Sequence, residues 1–220
     1  MINDKSNINF FEFLRNRINK TLPGQSAHIE MAPLIEGKLY RTFKPSEDAI
    51  ICAVLILLFI NKTNDKIKVV LTLRSKNIDH SGQISFPGGR SENNESIVET
   101  ALRENEEEIG IQPNKINVLG KLSQLYVPPS NSLITPIVGY INEPLILKTN
   151  SDEVEEAFSV ELDDLLDEKN YKRETWRMRN NDIDVPFWNI HSTPLWGATA
   201  MMMNELLALY KEFCNHSSDK

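Results

Sequence analysis

The sequence predicts an α/β fold, because apolar runs typical of β-strands alternate with segments that repeat at the helical period. Strands are expected at residues 49–61, 67–74, 117–127 and 133–142, and in a hairpin of 171–176 with 183–190. Helices are expected at residues 8–18, in an acidic segment that ends at Gly110, and at residues 196–213. No internal repeat or second domain is visible in the 220 residues, so we expect a single domain over residues 1–220.

Composition and charge limit the classes of protein to consider. The chain is 40% apolar and 25% charged, as soluble globular proteins are. Its net charge of −7, without a basic stripe, argues against nucleic acid as a partner, whereas an anionic small molecule fits if a metal ion supplies positive charge. The longest apolar run, Ala49 to Ile60, is too short to span a bilayer, and no secretory signal is visible. Two distant cysteines, Cys52 and Cys214, are expected to be free thiols in a reducing cytoplasm.

The first 47 residues are expected to pack on the domain. Apolar residues at helical spacing run from Ile8 to Ile18, and Pro23 with Gly24 ends this helix. The following segment, to about Glu47, is predicted to be irregular, and it wraps the core or contributes to a contact in a homodimer. We interpret its charged residues as solvated surface. At the other end, residues 215–220 are expected to form a flexible tail.

The segment from Gly88 to Ile111 carries the pattern around which the chain is organised. A loop that opens on Gly88 and Gly89 leads into a helix with an acidic end, and Gly110 terminates the helix. At about 100° per residue, Glu104, Glu107 and Glu108 fall within roughly 100° of one another. The adjoining arc of the helix is apolar and contains Val98, Ala101, Leu102 and Ile109. The opposite side, which contains Glu99 and Glu106, is expected to face solvent.

Three carboxylates on one stripe repel one another, and like charges four residues apart weaken a helix. Arg103 is the only basic residue near that turn. A cation is therefore expected at the stripe, and clustered oxygen ligands suit Mg²⁺ or Mn²⁺. The alternative is an acidic helix face that is simply solvated.

The spacing of these residues resembles the Nudix box over all of its positions from Gly89 to Ile111. Glu95 and the pairs Arg103-Glu104 and Glu107-Glu108 stand at the positions of that motif, followed by Gly110. One position departs, because Asn105 replaces an apolar residue or Thr on the face that we expect to be buried, so Asn105 needs a hydrogen-bond partner. The resemblance implies a Nudix fold, with a mixed β-sheet in an α/β/α sandwich.

The resemblance also implies roles for the residues of the motif. Glu104, Glu107 and Glu108 would hold Mg²⁺ or Mn²⁺, together with the Gly88 carbonyl, and either Glu104 or Glu107 would be the general base. Arg103 and Glu95 would pair and brace the loop against the helix. Gly89 permits close approach of the backbone. Asn93 or Asn94 could cap the helix, with Glu95 favourable in its first turn.

A second resemblance concerns the substrate. Nudix enzymes that cleave coenzyme A carry a stretch before the box that is similar to residues 71–75 and 82–89 here, with Arg74, Ser75, Gln83 and Phe86 among the shared residues. The stretch departs in its loop, which looks about one residue short, lacks a common Arg and has Asp79 and His80 instead. The resemblance implies that Arg74, Ser75, Gln83 and Phe86 bind substrate.

Cleavage of coenzyme A or an acyl derivative to 3′,5′-ADP and 4′-phosphopantetheine is the reaction that this resemblance implies. Arg74 could instead tie the strand end to the helix, and His80 is interpreted as a surface or hydrogen-bonding residue in preference to a general base. Two further readings stay open: a Nudix pyrophosphatase for another nucleoside diphosphate derivative such as ADP-ribose or NADH, and a non-catalytic nucleotide-binding module. In all three readings the partner is a small nucleotide.

Two later stretches, residues 126–140 and 195–200, also resemble the coenzyme A subfamily. Family enzymes sometimes recruit another acid from beyond the box as a metal ligand or base. The candidates here are Glu153, Glu155 and Glu156, with surface charge as the simpler interpretation.

Overall fold

The computed structural model describes residues 4–39, 41–75, 82–92, 94–143, 145–178 and 180–218. Its α-helices are α1 (Asp4–Ile18), α2 (Gln25–Glu30), α3 (Ile97–Ile109), α4 (Leu162–Leu166) and α5 (Gly197–Ser218). Its strands are β1 (Leu34–Ile35), β2 (Lys38–Leu39), β3 (Ile50–Asn61), β4 (Lys66–Arg74), β5 (Ile84–Ser85), β6 (Gly88–Arg90), β7 (Asn117–Lys121), β8 (Leu125–Val127), β9 (Ser132–Ile141), β10 (Val154–Glu161), β11 (Tyr171–Met178), β12 (Asn181–Trp188) and β13 (Leu195–Trp196).

The larger sheet is mixed, as predicted. Its main strands lie in the order β10-β4-β3-β9-β7, and the short strands β5, β6 and β8 pair with β4, β3 and β9, respectively. The long strands β3 and β9 are parallel, whereas the other pairings are antiparallel. Strand β3 is therefore the centre of the sheet, and the loop that opens the acidic segment is attached directly to it through β6.

Alternation along β3 divides the core into two layers, since successive side chains of a strand point to opposite faces. Ala53, Leu55 and Leu57 pack with Ala101 and Ile109 of α3. On the other face, the alternate residues of β3 join a larger cluster with α1 and α5, which includes Ile56, Leu58, Phe10, Leu14, Met203 and Leu206. Helices thus cover both faces, and the predicted α/β/α sandwich is confirmed.

A second, antiparallel sheet was only partly predicted. The expected hairpin is β11 and β12, and β12 also pairs with β13 and with β1, which pairs in turn with β2. The prediction of an irregular segment from Gly24 to Glu47 is wrong, because it contains α2, β1 and β2. These elements depend on distant partners, such as the pairing of Leu34 with Asp184, and a two-residue strand carries no periodicity by which it could be predicted.

Three further boundaries differ from the prediction. The strand expected over 117–127 is two strands, β7 and β8, interrupted where Leu122 donates its N–H to the carbonyl of Pro136. The short helix α4 was not predicted. Helix α5 continues to Ser218, so residues 215–218 are helical where a tail was expected. Within the described residues no helix has both the length and the hydrophobicity to cross a bilayer.

Candidate active site

Helix α3 is fixed at both ends by local hydrogen bonds. Ser96 is its N-cap: the Ser96 side chain accepts from the N–H of Glu99 at 3.2 Å, and the Glu99 carboxylate accepts from the N–H of Ser96 at 2.8 Å. The expectation of an Asn93 or Asn94 cap is therefore wrong for Asn94, and Asn93 lies outside the described residues. At the other end, Gly110 adopts the left-handed conformation, with φ 74°, as its place in the motif predicted.

The three carboxylates of the predicted stripe differ in exposure. The side chain of Glu108 is buried, that of Glu104 is 14% exposed, and that of Glu107 is 54% exposed. Thus one turn of α3 presents two acids to the protein interior and one to solvent.

The apolar arc of α3 is largely as predicted. Ala101 and Ile109 are buried and Leu102 is half-buried, but Val98 is exposed, so its place in the buried arc was wrong. Asn105 is fully buried and donates from Nδ2 to the carbonyl of Ile111 at 3.1 Å, which confirms the expected need for a partner. Its Oδ1 has no partner among the described residues.

Arg103 links the loop to the helix through several bonds. Its Nε donates to Glu95 at 2.6 Å, and its Nη1 donates to Glu104 at 3.0 Å and to Glu107 at 2.9 Å. Its Nη2 donates to the carbonyl of Arg90 at the end of β6. The hydrogen bond from Arg103 lowers the pKa of Glu95 to about 2, so this carboxylate is ionised at neutral pH.

The glycines of β6 lie directly against the two inner carboxylates. A Cβ at Gly89 would stand 2.5 Å from the carboxylate atoms of Glu104, and a Cβ at Gly88 would stand 2.4 Å from the carbonyl oxygen of Ala53. The backbone N–H of Gly88 donates to Glu108. Glycine at both positions therefore allows the loop to approach both the helix and β3.

Burial raises the pKa of Glu108 to about 8; Arg74 opposes this shift, and the charge of Glu104 adds to it. Burial also raises the pKa of Glu104, against the effect of Arg103. Glu153 adds to both shifts, so it is the member of the candidate group beyond the box that lies within electrostatic range of the pair. By contrast, Glu155 and Glu156 are exposed, and Glu156 contacts His191.

The chemistry of Glu104 and Glu108 fits a divalent cation. The Oε2 atom of Glu108 is buried and has no hydrogen-bond partner among the residues that the structure describes, and two inward carboxylates share the small space beside Gly88 and Gly89. Hard oxygen ligands of this kind suit Mg²⁺ or Mn²⁺. The three acids are not assembled as a set, since no group of three metal-ligating side chains is formed by the described residues. Nη1 of Arg103 donates to both Glu104 and Glu107, so Arg103 would have to release these carboxylates before all three acids could bind one ion.

A cavity of about 1390 Å³ adjoins this site on the other face of β3, where Cys52 and Val54 form part of its wall. It shares Gly88, Gly89 and Arg74 with the carboxylate site, although the carboxylates themselves do not line it. Of the predicted substrate-binding residues, Arg74, Gln83 and Phe86 line the cavity.

Ser75 is buried outside the cavity wall, and its N–H donates to the carbonyl of Glu153, so the structure does not bring it to the cavity. Asp79 and His80 lie outside the described residues. The second sheet supplies apolar wall residues. The sequence did not indicate Ile35, Met178 and Ile183, whereas Trp196 lies in the stretch 195–200 that resembles the coenzyme A subfamily.

Comparison with known proteins gives consistent matches. The NUDIX domain matches residues 52–179. The chain is 34% identical to Nudix hydrolase 3 of Caenorhabditis elegans over 64% of this chain and 66% of that protein, just under two thirds of its length. It is 37% identical to the uncharacterized Nudix hydrolase NudL of Photorhabdus laumondii, over 63% of this chain and 74% of that protein. Among solved structures, a Nudix hydrolase from M. smegmatis, RenU, matches with a TM-score of 0.54 and 16% identity, covering 79% of this chain and 96% of that one.

Proposed function

Because this chain belongs to the NUDIX domain family, by a match that covers more than half of its length, we propose that it hydrolyses a diphosphate linkage with the help of divalent metal ions. The observation that carries the proposal is the pair of inward carboxylates, Glu104 and Glu108, beside the glycine backbone of β6. We propose Mg²⁺ or Mn²⁺ as the ion. When bound, such an ion neutralises the oxygens of the diphosphate and positions or acidifies a water molecule.

The side chains around this pair have separate tasks in the proposal. Glu104, Glu107 and Glu108 would hold the metal, with the Gly88 carbonyl as a further ligand. Either Glu104 or Glu107 accepts the proton of the attacking water. Arg103 and Glu95 keep α3 and the loop in register, since they connect them through the contact at 2.6 Å. Arg74 lines the cavity beside Gly88 and Gly89 and binds oxygens of the diphosphate, because a guanidinium pairs with phosphate through two parallel hydrogen bonds.

Coenzyme A or an acyl derivative is the proposed substrate, with 3′,5′-ADP and 4′-phosphopantetheine, or its acyl form, as products. The support is the stretch before the box, whose Arg74, Gln83 and Phe86 line one cavity. At about 1390 Å³, that cavity exceeds the range of roughly 300–1,000 Å³ that is usual for small-molecule sites, and its apolar wall from the second sheet suits a long, partly apolar substrate. Ser75 stays in the proposal only as a residue that supports the neighbouring Arg74.

Another nucleoside diphosphate derivative, such as ADP-ribose or NADH, is the alternative substrate. It would use the same carboxylates and differ only in what fills the cavity. A non-catalytic nucleotide-binding module is disfavoured, because the chain keeps every carboxylate of the box.

The test is a direct comparison of substrates. The purified protein is incubated with coenzyme A, acetyl-coenzyme A, ADP-ribose and NADH in Mg²⁺ or Mn²⁺, and the products are separated by chromatography. We expect coenzyme A species to be cleaved preferentially, and EDTA to abolish the reaction. Preference for ADP-ribose or NADH would overturn the substrate assignment but keep the enzyme. Failure to release product from any of the four would favour the binding module.

The cysteines indicate the cellular compartment in which we propose that the reaction takes place. Neither Cys52 nor Cys214 forms a disulfide bond in the described residues, which suits a reducing compartment, and we propose the cytoplasm. A homodimer stays a prediction, and size-exclusion chromatography with light scattering tests it.

A further inference from the structure

Arg41 stands out among the cavity residues because no carboxylate of the described residues forms an ion pair with it. Its Nη2 donates to the carbonyl of Tyr126 at 2.5 Å, and its Nη1 contacts the sulfur of Met201. Its Nε is buried and has no hydrogen-bond partner among the described residues. The earlier interpretation of the charged residues in this segment as solvated surface is therefore wrong for Arg41, which is partly buried and lines the cavity.

An arginine without a counter-charge is unexpected in this chain. The sequence has 31 acidic residues against 24 Lys and Arg, so acidic partners are plentiful, yet no described carboxylate forms an ion pair with Arg41. Burial lowers the pKa of Arg41, and within the described part of the chain no charge offsets this shift. A guanidinium stays protonated in proteins. Keeping this cation partly desolvated without a counter-charge costs free energy, and a bound anion would reduce that cost.

The register of the sheet gives the separation between β6, beside the proposed site of cleavage, and β8, to which Arg41 is hydrogen-bonded. Arg90 at the end of β6 pairs with Cys52 of β3, Cys52 pairs with Ile134 of β9, and Ile134 pairs with Leu125 of β8. Three strand spacings separate β6 from β8, or about 14 Å. Arg41 is bound to the carbonyl of Tyr126 in β8, so it lies across the cavity from the glycines of β6.

This separation makes Arg41 a less suitable partner for a diphosphate bound beside β6 than Arg74, which lines the cavity next to Gly88 and Gly89. It suits a second anionic group, several bonds away on the same ligand. A nucleotide with a phosphate on the ribose, in addition to its 5′-diphosphate, carries such a group. The inference rests on the proposed function, because the ligand that places a diphosphate at β6 is the substrate proposed above.

We propose that Arg41 binds the ribose 3′-phosphate of the substrate and so selects nucleotides that carry it. The guanidinium lines the cavity, and Nη1 and Nη2 each give one N–H to Met201 and Tyr126, respectively. Each terminal nitrogen has a second N–H, which can donate to a phosphate in the cavity. Arg41 also lies over the ring of Phe43, with 5.1 Å between its Cζ and the ring centroid, which holds the guanidinium plane in place.

A purely structural role is the competing explanation. In that case Arg41 would only fasten the segment before β3 to β8 and α5 through Tyr126 and Met201. Such a role predicts a loss of stability on substitution, but it predicts no dependence on the 3′-phosphate.

Binding of two product-like nucleotides separates these explanations. Adenosine 3′,5′-bisphosphate and AMP differ only in the 3′-phosphate, neither has a diphosphate to cleave, and both are titrated by calorimetry in Mg²⁺. We expect the wild-type protein to prefer the bisphosphate by about 10–100-fold, as for a hydrogen bond to a charged group. Arg41→Met should remove most of that preference, and Arg41→Lys should keep part of it, because lysine retains the charge but not the planar fork. The matched control is Arg177→Met, which changes an exposed arginine paired with Asp182 and should keep the wild-type ratio.

Each outcome decides the proposal. A wild-type ratio near one overturns it, and so does an Arg41→Met protein that is folded by circular dichroism and keeps the preference. If Arg41→Met does not fold, an unchanged ratio in Arg41→Lys overturns it and a reduced ratio supports it. Turnover of coenzyme A and of 3′-dephospho-coenzyme A is measured separately. We expect the loss of the 3′-phosphate to change KM and not kcat. If neither is hydrolysed, the proposed function fails, while the calorimetric ratio still decides the role of Arg41.

Discussion

The carboxylate of Glu104 fills the space that a side chain at position 89 would need. A Cβ on Gly89 would lie 2.5 Å from the Cδ and from both carboxylate oxygens of Glu104, closer than carbon and oxygen atoms approach one another. The carboxylate is held there by Arg103, which also bonds Glu95 and the carbonyl of Arg90. The absence of a side chain at position 89 thus sets the position of an acid fifteen residues later in the chain.

Gly89→Ala should therefore displace Glu104 and lower both metal affinity and turnover. Because a misplacement of about 1 Å in a catalytic group can cost about 10²-fold, we expect a fall in kcat of that order. Mn²⁺ affinity is measured by electron paramagnetic resonance and turnover by product release. Gly37→Ala is the control: Gly37 has φ 71° and open space around it, so alanine there should cost about 1–2 kcal/mol of stability and leave Mn²⁺ affinity unchanged. Equal Mn²⁺ affinities for wild type and Gly89→Ala would contradict the argument.

Glu107 is half-exposed and bonded to Arg103, so a substitution is the direct test of its role. Glu107→Gln should cut turnover by about 10²–10⁴-fold if this side chain is the general base, and should also weaken Mn²⁺ binding if it is a ligand. The neighbouring Glu106→Gln, on the solvent side of α3, should change neither. If Glu107→Gln has wild-type turnover and Mn²⁺ affinity, Glu107 does not belong to the site.

The sequence predicted most of the central sheet and the acidic helix because their signals are local. The apolar run of β3, the spacing of the glutamates and the stop at Gly110 can all be read within short windows. The Ser96 cap also has a local signal, since Ser followed three residues later by Glu is the signature of a capping box, and this signal favours Ser96 over the expected Asn93 or Asn94.

The remaining features depend on contacts between distant segments. A helical wheel places Glu104, Glu107 and Glu108 on one arc, but it does not say which of them meets the backbone of β6, and that contact decides their burial. The same holds for Arg41, whose burial arises from β8 and α5, more than eighty residues away. An arginine next to an aromatic residue in a polar segment gives no local signal of this kind.

Glu108 should make the metal-free protein less stable as the pH rises. Its carboxyl has a pKa of about 8 in the folded state, raised from 4.5 mainly by burial, so the folded protein binds this proton more tightly than the unfolded chain. Its contribution to stability is complete below about pH 4.5 and is lost as the pH rises through about 8, with a slope of at most about 1.4 kcal/mol per pH unit. Urea unfolding in EDTA between pH 5 and about 8 measures this slope. Glu108→Gln cannot ionise and should flatten the profile, whereas identical slopes for the two proteins would show that Glu108 is not the group responsible.

Glu205 should contribute far more to stability than Glu212, the other glutamate of the same helix. It is fully buried in α5 and accepts hydrogen bonds from the hydroxyl of Ser123 at 2.6 Å and from the N–H of Gly24 at 2.9 Å, and its other oxygen lies 3.1 Å from Nε2 of the buried His28. Burial opposes the charge of Glu205, but the bonds from His28 and Ser123 lower its pKa, so the carboxylate is ionised and ties α2 and the loop after β7 to α5.

Glu205→Ala leaves these donors without an acceptor, and we expect a loss of about 3–5 kcal/mol in the free energy of unfolding, measured by urea denaturation. The control is Glu212→Ala on the same helix, where the partner Arg17 and the carboxylate are both partly exposed and the pair should contribute less than about 1 kcal/mol. Similar losses of stability for the two variants would contradict this expectation. They would mean that water solvates Ser123, Gly24 and His28 after the substitution and replaces the buried bonds of Glu205.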